Sequence, residues 1–98
     1  MSVINYEWKA PDNDSGLSHF VIRYWHIFFY QSPIERQTPM IEYKSNQKNY
    51  SYELVDIVQG DCYDSGLYQY DRNGTLQNNV GFGTTNTCKF IHLIKKTL

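Results

Sequence analysis

Long apolar runs are missing from this 98-residue chain. The longest apolar stretch, over 20–30, holds Arg23 and His26. It is too short to cross a bilayer, so no membrane span is expected. The opening residues, from Met1 to Trp8, lack a basic start followed by an apolar stretch. No signal peptide is therefore expected, and the readings are a protein that stays in the cytoplasm, one that leaves by a non-standard route, or one from which a signal has been removed. An excess of charge of one sign is missing too. Nine Lys and Arg stand against ten Asp and Glu, for a net charge of −1. No basic stripe runs along the chain, which argues against a nucleic-acid partner. The clustered cations Lys95 and Lys96 read as a solvated tail.

Cysteine is scarce. Cys62 and Cys88 are the only two, and their spacing is not that of a zinc site. Three readings stay open: separate thiols in a reduced compartment, one intrachain disulfide, or a catalytic or metal role. A disulfide would close a loop of about 27 residues and stabilise the fold by roughly 3 kcal/mol in the chain-entropy picture. Catalytic and cofactor motifs are also wanting. Gly81-Phe82-Gly83 has no Lys-Ser/Thr after it, so it is no phosphate loop. Ser65-Gly66 lacks the glycine that would complete a nucleophile elbow. Asp71-Arg72-Asn73-Gly74 starts like a calcium loop, but the glycine comes early and no closing Glu follows. His19, His26 and His92 are too few and too scattered for a metal centre, and His19 and His26 would share a face only on a helix. Cys88 and His92 on one strand would stand about 13 Å apart, beyond the reach of a nucleophile pair. No enzyme, metal or cofactor is expected.

What the chain has is aromatic residues. They make up 16% of it, with nine Tyr, five Phe and two Trp, types that favour strands and supply rigid contact area. Residues 3–9 alternate, with Ile4, Tyr6 and Trp8 on one face against Val3, Asn5 and Glu7. Residues 10–16 stack Pro, Asp, Asn and Gly into a loop. Segment 17–29 fits a doubly buried strand or an amphipathic helix, and its β-branched and aromatic content favours the strand. Residues 31–39, with Pro33 and Pro39, read as a loop or irregular edge. Short strands are expected over 40–44 and 50–58, with Tyr52, Leu54 and Asp56 facing away from Ser51, Glu53, Val55 and Ile57. A hairpin joins 63–70 to 75–80 through Asn73-Gly74, a pair suited to a type I′ turn. Gly81 and Gly83 around Phe82 suggest a bulge. A last strand over 87–95 is apolar on both faces, as inside a sheet. The acidic turn residues Asp56, Asp61, Asp64 and Asp71 read as solvated. Three sequons, at Asn13, Asn49 and Asn73, would matter only on a secretory route.

About seven short antiparallel strands in one domain over 1–98 predict an all-β sandwich of immunoglobulin or fibronectin type III type. Trp8-Lys9-Ala10-Pro11, then Gly16 and Phe20-Val21-Ile22-Arg23-Tyr24, resembles the start of a fibronectin type III domain. Tyr50-Ser51-Tyr52-Glu53-Leu54, with Gly60 and Tyr63, resembles a later strand and turn of that family. Lys48-Asn49-Tyr50-Ser51-Tyr52, Tyr68, Asn73-Gly74-Thr75, Gly81-Phe82-Gly83 and the residues that follow are similar to the later half of the fungal immunomodulatory proteins. That second resemblance implies glycan binding and a homodimer built through a helix at 17–29.

These readings converge on a non-enzymatic module that recognises a protein or glycan. The candidate binding residues are aromatics near turns and strand edges: Tyr63, Tyr68, Tyr70 and Phe82. The alternative is a small inhibitor or anti-host protein that blocks an enzyme by surface complementarity.

Overall fold

The computed structural model describes residues 2–12, 16–28, 30–58, 61–84 and 93–98. They form eight strands and no helix: β1 (Ser2–Lys9), β2 (Leu17–Ile27), β3 (Ile34–Gln37), β4 (Ile41–Glu42), β5 (Asn49–Ile57), β6 (Cys62–Asp71), β7 (Leu76–Thr84) and β8 (Leu93–Thr97). One sheet runs β5-β1-β8. The other runs β3-β2-β6-β7, with β4 also paired to β2. The two pack face to face as an all-β sandwich. Pairing among the first seven strands is antiparallel, and β8 lies parallel to β1. The helix considered at 17–29 does not form. Backbone pairing on both sides, to β6 and to the β3–β4 edge, holds this segment extended across the middle of the larger sheet.

Alternation explains the core. On β1 the buried side chains are Ile4, Tyr6 and Trp8; on β2 they include Phe20, Ile22 and Tyr24. Tyr63 and Leu67 of β6 meet them, with Tyr50, Leu54 and Ile57 from β5. Trp8 anchors the centre, its indole stacked on Tyr50 at 5.9 Å and edge-on to Phe20 at 5.5 Å between ring centroids. Full burial of such rings supplies most of the folding drive. The Tyr50 hydroxyl donates toward the Lys44 and Gln47 carbonyls and accepts the Lys44 N–H. A core ring thereby fastens the turn that leads into its own strand.

Two faces differ from the expected alternation. Ser2 opposes Ile57 while Ile4 opposes Leu54, so β5 carries one extra residue between those pairs. This bulge turns Ile57 to the core side with Leu54, where simple period two would set it outward. On β7, Gly81 opposes Gly66 and Gly83 opposes Ser65. Phe82 is the extra residue, so the expected bulge is there.

The edge at 31–39 is more regular than its prolines suggest, since β3 pairs with β2 while its four residues stay exposed. Pro39 has no N–H, and pairing lapses there before resuming at β4. Thr38 bridges the gap: its N–H donates to the Ile22 carbonyl and its hydroxyl accepts the Ile22 N–H.

The β6–β7 turn is not the expected Asn-Gly type I′. The Gly74 N–H donates to the Asp71 carbonyl, so the turn centres on Arg72 and Asn73, and Gly74 follows with a φ of 81°. The Asp71 carboxylate selects this form by accepting the N–H groups of Asn73 and Thr75. A three-residue loop closed by a left-handed glycine is the next most common hairpin connection.

Cys62 is disulfide-bonded. Cys88, the other cysteine of the disulfide reading, lies outside the described residues, as do His92 and most of the segment expected as a last strand over 87–95.

Candidate functional site

Strand β2 runs through the larger sheet with alternate residues pointing opposite ways. Phe20, Ile22 and Tyr24 enter the core, so His19, Val21, Arg23 and Trp25 stand on the outer face. Strand β6 is paired to it residue for residue: His19 with Tyr70, Val21 with Tyr68, Arg23 with Gly66, Trp25 with Asp64. The outer face therefore carries a row of aromatic and charged side chains contributed alternately by two strands.

Their contacts are specific. The His19 imidazole stacks on Tyr70, centroids 5.2 Å apart and planes 11° from parallel. The Arg23 guanidinium lies over the Tyr68 ring, 4.4 Å from its centroid, and donates to the Tyr70 hydroxyl. Trp25 and Tyr68 meet at 6.5 Å and 54°. Arg23 Nε is buried without a hydrogen-bond partner. Cation–π contact and the tyrosine hydroxyl hold the guanidinium over the Tyr68 ring, and Trp25, Tyr68 and Tyr70 stay half-exposed. Val21 beneath them is only 7% exposed although it belongs to the outer face.

Of the four expected binding aromatics, the structure brings Tyr68 and Tyr70 together on this face. The expectation that all four are exposed needs correction at Tyr63, which is 3% exposed. Its hydroxyl accepts the Val58 N–H at 2.9 Å and its ring stacks on His26. A ring at the start of β6, paired with His26 of β2, falls on the core side by register. Phe82 also turns inward: the bulge seats its half-buried ring 4.6 Å from Tyr6 and 6.5 Å from Trp8. The residues that sequence reasoning missed are His19, Arg23 and Trp25. Their signal lay in the odd-numbered positions of 19–25, which become outward once that segment is read as a strand.

His26 pairs with Asp61 at 2.5 Å between Nε2 and Oδ2. His19 and His26 lie on opposite faces, as an odd separation on a strand requires. Among the described residues no group of three or more His, Cys, Asp or Glu could hold a metal ion. Burial pushes the Tyr6 phenol up to about 12, with the neighbouring Ser65 hydroxyl opposing the rise.

No known protein family, curated protein or solved structure matches this chain.

Proposed function

We propose that the chain is a non-enzymatic recognition module of the fibronectin type III kind, and that the outer face of its larger sheet is the binding surface. The observation that carries the reading is the ladder of His19, Tyr70, Arg23, Tyr68 and Trp25 along that face. Tyr, Trp and Arg are the side chains that most often anchor interfaces, because each combines large contact area with a directional polar group. Here the fixed guanidinium and stacked rings are ordered before any partner arrives, which lowers the entropic cost of association.

Strand pairing supports the kinship. β1 with β5, against β3-β2-β6-β7, follows the B–E and C′–C–F–G division of such sandwiches. The Tyr63 hydroxyl bound back to Val58 has the form of their tyrosine corner. The parallel β8 departs from that plan, occupying the side of β1 where a first antiparallel strand would run.

A photo-reactive phenylalanine analogue tests the surface. Placed at Tyr70, it captures a macromolecule from cell extract; placed at Val55, 49% exposed on the other sheet, it does not. Capture from Val55 alone, or from neither position, removes the reading. Capture of an enzyme at its catalytic cleft turns the reading to an inhibitor.

A further inference from the structure

We propose that the hollow between Trp25 and Asn79 on this outer face is a glycan site, taking one neutral pyranose ring at a time. The inference rests on the recognition reading above and names its ligand class. The hollow has a volume of about 310 Å³ and is lined by Trp25, Asp64, Gly66, Tyr68, Asn79 and Gly81. That is the small end of the range for ligand pockets, about 300–1,000 Å³.

Three strands build it. Gly66 of β6 opposes Gly81 of β7, so the floor is two neighbouring residues with no side chain. Backbone strain does not demand glycine at position 66, because its φ lies outside the left-handed region. A methyl group there would meet the Tyr68 ring edge at 3.3 Å and occupy the floor. Trp25 and Tyr68 form one wall, half-exposed rings inclined at 54°. Aromatic side chains of this kind suit the C–H patches of a sugar ring. Asp64 stands beside Trp25 by register, and Asn79 beside Tyr68. Asp64 Oδ1 accepts the Ser65 N–H at 2.9 Å, which orients the carboxylate and leaves Oδ2 to accept from a hydroxyl. The Asn79 side-chain amide both donates and accepts. Paired acceptor and donor groups beside an aromatic wall match adjacent hydroxyls on a ring with an apolar face.

Charge decides between ligand classes. Two aromatic rings and a carboxylate could also cage a quaternary ammonium. The Arg23 guanidinium, 4.4 Å from the Tyr68 ring centroid, already takes up a ring face and repels a second cation. Asp64, with Glu35 of β3 opposite Trp25, repels an anion. A neutral polyhydroxyl ligand escapes both penalties.

The full chain is applied to a glycan array, and the methyl glycoside of the best-bound sugar is then titrated by NMR. Expected are array binding and shifts centred on the Trp25 indole and the Gly66 and Gly81 amides. Asp64→Asn, Gly66→Ala and Trp25→Ala each weaken affinity tenfold or more, while Val55→Ser on the opposite sheet leaves it unchanged. Gly66→Ala keeps the inference testable if Trp25→Ala fails to fold. A blank array, glycoside shifts mapping elsewhere, or binding of tetramethylammonium in place of glycosides overturns it. A blank array together with protein capture from Tyr70 overturns the sugar and keeps the recognition surface. Silence in both experiments removes both.

Discussion

At the scale of single residues, Tyr6 carries a polar group into the middle of the sandwich. It is fully buried, and its hydroxyl lies near Ser65 without a well-formed hydrogen bond. Its phenol is raised from 10.0 to about 12 in the fold. The folded chain thus holds the proton where the unfolded chain releases it. The stabilisation is whole below pH 10 and disappears as pH climbs through 12, a swing of about 3 kcal/mol. Tyr6→Phe removes this contribution. Its melting temperature should fall less between pH 10 and 12 than that of the parent; parallel declines would reject the assignment. Tyr63 makes the same point differently. Exposure was expected from its place beside a turn, yet its hydroxyl closes the approach to β6 at Val58. A sequence can show that an aromatic sits near a turn but not toward which side of the sheet its register points it.

At the scale of elements, the β6–β7 hairpin depends on Asp71. Its carboxylate satisfies two backbone N–H groups while its carbonyl receives the Gly74 N–H. Asp71→Ala orphans both donors. We expect a loss of about 1–2 kcal/mol, because exposed turn amides recover part of their bonding from water. Chemical denaturation measures it, and an unchanged midpoint would show that Gly74 alone sets the turn. The hairpin was legible in Asn73-Gly74, but its type was not, since the deciding acceptor stands two residues before Asn73. The strand reading of 17–27 was likewise legible in β-branched and aromatic content. The rejected helix would have aligned His19 with His26 and supplied a dimer seam; the strand separates the histidines and puts Arg23 and Trp25 beside Gly66 and Asp64.

At the scale of the molecule, the sandwich joins chain ends that lie far apart in sequence: β8 pairs with β1, and the Leu98 N–H donates to the Glu7 carbonyl. Cys62 enters a disulfide at the start of β6, and Cys88 is the only other cysteine in the chain. A 62–88 crosslink constrains the unfolded chain over a loop of about 27 residues, so reduction should cost roughly 3 kcal/mol. Peptide mapping with and without reductant, alongside denaturation midpoints, checks both pairing and magnitude. Two titratable thiols in the unreduced protein would contradict it.

From its residues alone the chain determined that it would be all-β, which side chains share a face on β1, and where β7 bulges. Those follow from the period of two along a strand and from local turn chemistry. Tertiary structure decided the rest: which face turned inward, how β5 rotated Ile57, that β8 ran parallel to β1, and that Trp25, Asp64 and Asn79 met on one surface. Alternation divides a strand into two sides but carries no information about the neighbouring strand. Only the backbone register between β2, β6 and β7 sets residues so distant along the chain side by side.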